Sequence, residues 1–401
     1  MTDAPPRPRL LVLSSTYPRW RGDTEPGFVH ELARRLVDRF DVTVITPHAA
    51  GAARREKMDG VFVRRFRYAP VRLETLVHHG GMLTNVRRSP WKWLLVPWFL
   101  LGQGMALLGV LRCWRPEVVH AHWFLPQGWL AACMVGKVPL LVTSHGADLF
   151  GLRGRIAARM RRHVIHRAAA LSVVSEAMRR RVLEEVPGVC ARVMPMGVDC
   201  EGRFFPDTSM RDIDTLLFVG RLVEKKGLRH LIAAMPAILE SRLGVTLDVI
   251  GSGPCRAELD GQVAALGLQE HVRFLGGLAQ DDLPRHYRRA TLLVAPFVEA
   301  DNGDQEGLGL VVAEAMACMC PVLVGDVAAV QDLVSEATGV RVDASNRDVL
   351  ASAIVSLLQD PSRRDRLARQ ACRHVLQNYA WSGVADRYAQ LLYSLARQEM
   401  R

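Results

Sequence analysis

The chain has 401 residues, of which 49% are hydrophobic and 23% charged, so it can bury the cores of two globular domains. Lys and Arg number 52 against 41 Asp and Glu, and the formal net charge is +11. Such a composition is typical of a folded protein rather than a disordered one. The excess of cations favours an anionic partner, which could be nucleic acid, an acidic membrane surface or a phosphorylated small molecule.

The eight cysteines form no CxxC pair and no Cys/His spacing typical of a metal site. The first residues of the sequence also lack the apolar core of a signal peptide. These two features predict a reduced, cytosolic protein.

Short β-rich runs alternate with helical patterns along the chain. A first series of predicted strands lies at residues 9–15, 41–46, 117–123, 139–146, 170–175 and 191–197. A second series lies at residues 215–222, 246–253, 271–277, 291–297, 320–326 and 339–344. Between strands, stretches such as 27–40 place apolar residues at helical spacing, with one face made of Phe28, Leu32, Ala33, Leu36 and Val37. The alternation predicts an α/β protein with two parallel, doubly wound sheets.

The segment Trp93–Leu111 is exceptional because it contains 19 residues without a charge, about the length of a membrane span. It also contains Pro97 and three glycines, and a span would place the flanking strands on opposite sides of a bilayer. We therefore favour a buried or membrane-touching helix over a transmembrane one.

Periodicity fails between the two series of strands, around Pro195, Gly197 and Pro206. We place a linker at residues 196–210, an N-terminal domain at 1–196 and a C-terminal domain at 197–383. A last helix, within 384–401, is predicted to cross back to the first domain. Two such domains would face each other across a cleft, with ligands at the carboxyl ends of their strands.

Two cations follow the first strand of the second series. Arg221 leaves the strand at a glycine turn, and Lys226 stands five residues later, just before Gly227 and a helix. Arginine binds phosphate oxygens in a bidentate manner and lysine adds a point charge, so the pair fits a diphosphate. Exposed cations at strand ends are common, however, and the pair alone is weak evidence.

Glu306 and Glu314 flank a small, apolar, helix-like run that contains Gly307 and Gly309. The glycines allow close approach of a ligand to the backbone, and the helix start presents free N–H groups to an anion. The two glutamates could form a metal site, a catalytic acid pair or a sugar-binding pair. Glu306 is expected in the loop and Glu314 about two turns along the helix, which at roughly 1.5 Å per residue places their backbones about 12 Å apart. That separation fits the two ends of one long ligand better than one glycosidic bond, but Glu314 could equally be a solvated helix residue.

The two segments "EGLGLVVAEAMAC" and "FVGRLVEKKG" together resemble the nucleotide-sugar site of the family-4 retaining glycosyltransferases, which have the GT-B fold of two Rossmann-like domains. The resemblance extends to "VIGSGP", "VRFLGGLAQDDLPRHYRRA", "PMGVD", "VVHAHW" and "TSHGADLF", in the order of the family and over nearly the whole chain.

The resemblance implies roles in the second domain. Glu306 would face the hydroxyls of the transferred sugar, and Glu314 would bind the ribose. Arg221 and Lys226 would neutralise the diphosphate, helped by the backbone amides of Gly307, Leu308, Gly309 and Leu310. The remaining donor-binding candidates lie in two loops of this domain: Gly251, Gly253, Phe274 and Leu275.

The resemblance also implies roles in the first domain. His145 would stand near the donor sugar and the reaction centre, although a buried structural histidine is the alternative. Gly27, in the loop "STYPRWRGDTEPG", could approach the donor phosphates. That loop departs from the commoner Gly-Gly form, which weakens the assignment of the acceptor side. The acceptor candidates are Arg19, Arg21, His122 and Asp148.

The resemblance implies a retaining hexosyltransferase that uses a UDP- or GDP-linked sugar as its donor substrate and needs no cofactor. No aspartate-x-aspartate pair stands at a strand end, so we predict that the enzyme is metal-independent. The acceptor would be a glycan or a lipid-linked molecule, reached in the cytoplasm or at the inner face of an acidic plasma membrane. A nucleotide-sugar epimerase or phosphorylase of the same fold is an alternative. Nucleic acid is not expected as a partner, because the Arg pairs lack interleaved aromatics.

Overall fold

The computed structural model describes residues 6–23, 25–78, 81–152, 154–207, 211–301 and 303–398. It contains two compact units, one within residues 1–195 and 384–401 and the other at 196–383. Three parts of the predicted loops lie outside the described residues: Thr24, residues 208–210 of the linker, and Asn302.

The first unit is built on an eight-stranded sheet. Its strands are β1 (Arg9–Leu13), β2 (Asp41–Pro47), β3 (Arg55–Met58), β4 (Val61–Phe66), β5 (Val118–His122), β6 (Leu140–Ser144), β7 (Ala170–Val173) and β8 (Ala191–Val193). The strand order is β3-β4-β2-β1-β5-β6-β7-β8, and every pair is parallel except β3 with β4. The strand order reverses at β1, whose neighbours are β2 and β5. The predicted parallel, doubly wound sheet is confirmed for this unit.

The α-helices in the described part of the chain before residue 195 are α1 (Phe28–Arg35), α2 (Met82–Arg88), α3 (Val96–Cys113), α4 (Trp129–Met134), α5 (Ala147–Phe150), α6 (Arg155–Arg167) and α7 (Glu176–Glu185). In α1 the buried residues include Leu32 and Ala33, with Leu36 directly after it. Three of the five residues predicted to share an apolar face are therefore buried; Phe28 and Val37 are half-buried.

Strands β3 and β4 are absent from the sequence-based prediction. Their sequences, REKM and VFVRRF, carry charged residues at several positions. β3 is an edge strand, where charged side chains reach solvent. In β4 the apolar side chains of Val61 and Val63 face the core in alternation, with Phe62 exposed between them. Charge at an edge weakened the apolar signal on which the prediction depended.

Helix α3 contains most of the long uncharged segment. Pro90–Cys113 is apolar and long enough to cross a membrane, with a mean hydropathy of 1.9, and 39% of its most apolar window is buried within the protein. One side of the helix packs on the first sheet: the ring of Phe99 lies 5.1 Å from that of Phe66 and 5.3 Å from that of Tyr68. A Cβ added at Gly102 would lie 2.4 Å from the carbonyl oxygen of Arg67. This side of α3 therefore belongs to the core of the first unit.

The second unit has a six-stranded, wholly parallel sheet. Its strands are β9 (Thr215–Val219), β10 (Thr246–Ile250), β11 (Val272–Gly276), β12 (Leu292–Ala295), β13 (Val322–Gly325) and β14 (Val340–Val342), in the order β11-β10-β9-β12-β13-β14. Its helices are α8 (Leu228–Ser241), α9 (Arg256–Ala265), α10 (Leu283–Arg289), α11 (Leu310–Ala317), α12 (Arg347–Gln359) and α13 (Pro361–Asn378). The core beneath the sheet is aliphatic, with residues such as Leu231, Ile232 and Ile354 fully buried.

The last helix, α14 (Trp381–Gln398), begins three residues before the predicted start. Its residues from 384 onward belong to the first unit. Tyr388 is buried there, donates a hydrogen bond from its hydroxyl to the carbonyl oxygen of Met194 at 2.9 Å, and stacks on His120 at 5.6 Å.

Candidate functional site

The second unit offers a site where β9 and β12 end side by side. β9 is followed along the chain by β10 on one side of it in the sheet, while β12 lies on the other side, so the strand order reverses at this point. In an open parallel sheet, the crevice at the carboxyl ends of two such strands is the usual ligand site. Arg221 and Lys226 follow β9, and Glu306 follows β12.

The chain after β9 is held tightly against the chain after β12. A short 3₁₀ helix, Glu224–Lys226, ends at Gly227, whose φ is +68°. A Cβ at Gly227 would lie 1.7 Å from the carbonyl oxygen of Pro296, so only glycine fits. The backbone N–H of Val298 also donates to the carbonyl oxygen of Lys225 at 3.1 Å. These contacts bring both lysines under the loop that carries Glu306.

Lys226 and Glu306 form a largely buried ion pair. Nζ of Lys226 lies 2.8 Å from Oε2 of Glu306, with the side chains only 10% and 15% exposed. Burial lowers the pKa of the Lys226 ammonium, and Glu306 opposes that shift. Burial also acts to raise the pKa of Glu306, but the charges of Lys226, Lys225 and Arg221 outweigh it and lower that pKa to about 2. Glu306 therefore stays a carboxylate at any physiological pH.

Lys225 is a second buried cation, which sequence analysis missed. Its Nζ lies 3.0 Å from Oδ1 of Asp304 and 2.9 Å from the carbonyl oxygen of Gln305. The loop is further fixed by the N–H of Asp301, which donates to Glu224 at 2.9 Å. The Asp304 carboxylate and the backbone N–H of Asp301 thus anchor the loop to the chain after β9. The doublet Lys225–Lys226 was the available signal, but nothing local shows that it meets acids about 80 positions away.

Helix α11 begins beside this ion pair. Gly309 precedes it with φ +78°, a conformation that favours glycine, and a Cβ there would lie 3.2 Å from the ring of Phe297. The first N–H groups of a helix have no partner within the helix and face whatever lies before it. Gly307 and Leu308 lie in the preceding loop, and Leu310 is the first helical residue. Since the helix starts only at Leu310, the predicted 12 Å rise between Glu306 and Glu314 does not apply.

Glu314 is buried rather than solvated. The hydroxyl of Tyr287 donates to its Oε2 at 2.9 Å, and Nε2 of Gln280 donates to its Oε1 at 3.2 Å. Burial raises the pKa of the Glu314 carboxyl to about 7, although both hydrogen bonds act to lower it. The alternative of a solvated helix residue is therefore wrong, and Glu314 changes its charge near neutral pH.

The other donor candidates line the neighbouring strand ends. A Cβ at Gly251 would lie 1.9 Å from the carbonyl oxygen of Gly220, and one at Gly253 would lie 2.4 Å from that of Leu222. Both glycines therefore let the loop after β10 pack on the backbone around Arg221, which is exposed. Phe274 and Leu275 lie in β11. The Phe274 ring is half-buried under the guanidinium of Arg256, at 4.2 Å, and the Leu275 side chain is exposed. Contact of these residues with a donor stays a prediction.

In the first unit, His145 follows β6 and contacts His122 at the end of β5. Nδ1 of His122 lies 2.9 Å from Nε2 of His145, and the two rings stack at 5.1 Å. His120 stacks on His122 at 4.2 Å and bonds Thr143 through Nε2 at 2.7 Å. Burial lowers the pKa of both His120 and His145 to about 3 and that of His122 well below its usual value. This histidine stack is therefore uncharged.

The acceptor candidates of the first unit are largely engaged with neighbours. Asp148 is buried and accepts hydrogen bonds from the Ser144 hydroxyl at 2.7 Å and the N–H of Phe124 at 2.5 Å, so it fixes two strand exits. Burial raises the pKa of its carboxyl. Arg19 forms a bidentate pair with Asp23 at 2.6 and 2.9 Å. The exposed Arg21 lies 2.8 Å from Asp59. Their roles toward an acceptor stay predictions.

Gly27 directly precedes α1, and its φ of −93° suits any residue. A Cβ there would meet only Pro18, at 3.8 Å. The fold therefore does not require a glycine at this position. Within the part of the chain that the structure describes, no three His, Cys, Asp or Glu side chains form a group that could hold a metal ion.

Two family profiles match the chain and cover most of it. The profile described as "Glycosyltransferase Family 4" matches residues 28–201, and that described as "Glycosyl transferases group 1" matches residues 208–374. These matches do not favour the alternative hypotheses, which were an epimerase or phosphorylase of the same fold and a nucleic-acid-binding protein.

Curated relatives are transferases. The chain is 26% identical over 399 residues to the GDP-mannose-dependent alpha-(1-6)-phosphatidylinositol monomannoside mannosyltransferase of Mycolicibacterium smegmatis, covering 96% of this chain and 98% of that protein. It is 30% identical over 315 residues to a glycogen synthase of Mycobacterium tuberculosis, covering 74% and 73%. Among solved structures, the sucrose-phosphate synthase of Thermosynechococcus elongatus superposes with a TM-score of 0.79 at 21% identity, covering 97% of this chain and 99% of that one. This likeness confirms the predicted GT-B fold.

Proposed function

Because the chain belongs to the family-4 glycosyltransferases, we propose that it is a retaining, metal-independent hexosyltransferase that takes its sugar from a nucleoside diphosphate donor. That it is a glycosyltransferase follows from the family. The stereochemistry, the metal independence and the absence of a cofactor are the proposal, as are the residue roles that follow.

The observation that carries the proposal is the buried Lys226–Glu306 pair beside the start of α11. A nucleotide sugar carries a dianionic diphosphate next to a neutral, hydroxyl-rich ring. Lys226, Arg221 and the free N–H groups of α11 supply positive charge for the first, and the Glu306 carboxylate accepts hydrogen bonds from the second. The cation of Lys226 and the carboxylate of Glu306 lie 2.8 Å apart. This proximity matches a donor in which the diphosphate is bonded directly to the sugar.

Transfer builds negative charge on the departing diphosphate. Preorganised cations and helix N–H groups stabilise that charge most effectively in a site without bulk water. The ammonium of Lys226 is buried already, so it needs no reorganisation when the bond breaks. These groups would neutralise the charge of the diphosphate, as a divalent cation does in a metal-dependent enzyme. This is our reason for proposing metal independence.

Glu306 is a poor candidate for a general base or a covalent nucleophile. With a pKa of about 2 and an ion pair to Lys226, its carboxylate is a weak base. We therefore propose that the acceptor hydroxyl attacks on the face from which the diphosphate leaves. A phosphate oxygen of the donor takes the proton of that hydroxyl, and the configuration of the sugar is retained. His145, uncharged in the folded protein, would hydrogen-bond the transferred sugar.

The acceptor proposed is a glycan or a lipid-linked molecule, and the enzyme would work in the cytoplasm, at the inner face of the plasma membrane. The Mycolicibacterium relative is described as GDP-mannose-dependent and as acting on a phosphatidylinositol monomannoside. This supports a GDP-linked hexose as the first donor to examine and a UDP-linked hexose as the second.

The proposal is tested by a panel of GDP- and UDP-linked hexoses, screened by thermal shift and then by transfer to extracted lipid acceptors. A true donor raises the unfolding temperature because it binds only the folded state. Proton NMR of the product should show the anomeric configuration of the donor. Full activity in excess EDTA is expected. Inversion at the anomeric carbon would refute the retaining mechanism, and activity restored only by Mg²⁺ or Mn²⁺ would refute metal independence.

A further inference from the structure

One side of the segment Pro90–Cys113 is buried in the first unit, but the other side is apolar and faces solvent. The exposed residues are Trp91, Leu94, Trp98, Leu101, Met105 and Leu108, which we call the apolar ridge. Leu94, two residues before α3, is 73% exposed, and Trp98 and Met105 are each 60% exposed. Contiguous exposed surface of this kind marks an interaction site on a soluble protein.

The spacing places the ridge on one line. Within α3, Trp98, Leu101, Met105 and Leu108 follow each other at intervals of three or four residues, so they share one face of the helix. The buried residues Phe99, Gly102, Ala106 and Val110 lie one or two positions further along the helix and face the interior of the first unit. α3 is therefore apolar on two sides, and the interior of the unit covers only one of them.

The charges around the ridge identify its partner. Residues 75–116 contain five cations and no acidic residue. Arg87, Arg88 and Lys92 precede the helix, and Arg112 and Arg115 end it. A Cβ added at Gly109 would lie 3.5 Å from the guanidinium of Arg64, so Arg64 lies beside α3; it is also within electrostatic range of Arg54 and Arg55 and adds to the positive charge at the carboxyl end. An apolar strip with cations at both ends is complementary to acyl chains below a layer of anionic headgroups.

The aromatic residues agree with this assignment. Trp91 and Trp98 belong to the ridge and Trp93, 54% exposed, stands between them. Indole side chains prefer the boundary between headgroups and hydrocarbon, where the ring is buried and the N–H stays hydrated. A second copy of this chain is a poorer partner, because a symmetric contact through the ridge would bring two sets of cations together.

A transmembrane orientation is excluded by the packing of the other side. Gly102 lies against the backbone at Arg67, and Phe99 is fully buried between Phe66 and Tyr68. Leaving the unit would expose this part of its core. The helix must therefore lie along a surface.

We propose that the apolar ridge docks on the surface of a bilayer that contains anionic lipids, with α3 parallel to the membrane plane. The inference concerns binding alone and does not depend on the proposed transfer reaction. It also gives a physical means by which the first unit could meet a lipid-linked acceptor.

The test is co-sedimentation of the full chain with vesicles of phosphatidylcholine, alone or mixed with phosphatidylglycerol. The wild-type chain should bind the mixed vesicles and lose affinity as salt is raised, because headgroup attraction is screened. Leu94→Ser and Trp98→Ser should each weaken binding by about tenfold or more, since each removes a large apolar side chain that the bilayer would bury. Arg88→Ala combined with Arg112→Ala should remove the preference for anionic vesicles and leave weak binding to both.

Matched controls are Leu243→Ser and Ile213→Ser, which remove apolar side chains that are 82% and 83% exposed in the second unit. They should bind vesicles as the wild type does. All variants change exposed residues, so their circular dichroism and unfolding temperature should match those of the wild type. Failure of the wild type to bind mixed vesicles, or equal loss in the controls, would overturn the proposal. A dimer in sedimentation equilibrium that Trp98→Ser abolishes would assign the ridge to a second copy instead and would also overturn it.

Discussion

The strand ends of the two units carry titratable residues in similar positions. In the second unit these residues are charged, whereas in the first they are neutral. After β9 and β12, Lys225, Lys226 and Glu306 are buried as ions, each beside an opposite charge. After β5 and β6, His122 and His145 are held as neutral rings. At both sets of strand ends, desolvation disfavours the charged form of a side chain. At those of the second unit, an opposite charge lies close enough to offset the cost of desolvation.

The difference follows from the neighbours of each group. His145 lies against the rings of Phe28 and Trp123, each at 4.9 Å, and against His122. None of these can stabilise a cation as a carboxylate does. A site of fixed charges suits a diphosphate, and a site of neutral hydrogen-bonding rings suits sugar hydroxyls. Each prediction below tests one side of this contrast.

Lys226→Ala should have the largest effect. It removes a cation from the proposed diphosphate site and leaves the Glu306 carboxylate buried without its partner. Transfer should fall by about 100- to 1000-fold, and the free energy of unfolding should fall by roughly 3 kcal/mol or more. Steady-state kinetics and urea unfolding measure the two effects.

The control separates charge from folding. Lys226→Met combined with Glu306→Gln removes both charges and should recover most of the lost stability without recovering transfer. Near-normal transfer by Lys226→Ala would show that the charged cluster is not the diphosphate site.

His145→Ala should lower kcat by about 100-fold, as expected for the loss of one oriented hydrogen bond in the transition state. His122 contacts His145 and acts as a positioning residue, so His122→Asn should lower kcat less than His122→Phe, which cannot hydrogen-bond. Since the imidazoles are neutral, the wild-type kcat should show no histidine ionisation between about pH 5 and 8. A kcat that follows a group of pKa near 6.5 and loses that dependence in His145→Ala would contradict the neutral stack.

Glu314→Gln should have a smaller effect, on donor affinity. In the wild type the Glu314 carboxyl loses its proton near pH 7, and only the carboxylate can accept two ribose hydroxyls without competing for a proton of its own. Affinity for the donor nucleotide should therefore rise by several-fold as pH rises through about 7, and Glu314→Gln should abolish that rise. Isothermal titration of GDP and UDP at several pH values checks this. An unchanged pH dependence in the variant would place the ionisation elsewhere.

The smallest effects concern stability, and they have opposite signs in the two units. The raised pKa of Glu314 means that the folded protein binds more protons than the unfolded chain between about pH 4.5 and 7, so this residue's contribution to stability is lost as pH rises through that window. The lowered pKa values of the histidine stack mean that their contribution is lost as pH falls below about 6.5.

Unfolding temperatures measured across pH should therefore converge for wild type and Glu314→Gln at low pH and diverge toward pH 7, with the wild type becoming relatively less stable. The unfolding temperature of His120→Phe should rise relative to that of the wild type as the solution becomes more acidic. Parallel curves for either variant would contradict the corresponding burial of charge.

Much of the fold and site was predictable because it depends on local pattern. The alternation of apolar runs predicted two parallel sheets, and Gly227 and Gly309 stand where positive φ or close approach requires glycine. Strands β3 and β4 were missed because their charged edge obscured the pattern. Lys225 was missed because its partner, Asp304, is 79 residues away.

The sequence by itself determined the two-unit α/β architecture, the family, and the set of residues at the strand ends, because periodicity and turn chemistry act over a few residues. The tertiary structure decided which of those residues carry charge. Glu306 with a pKa of about 2 and Glu314 with a pKa of about 7 are the same residue type eight positions apart. Their difference arises because Glu306 forms an ion pair with Lys226 from another strand end, whereas the hydrogen bonds to Glu314 come from the neutral donors Tyr287 and Gln280. Likewise, only packing revealed that α3 keeps one apolar side uncovered.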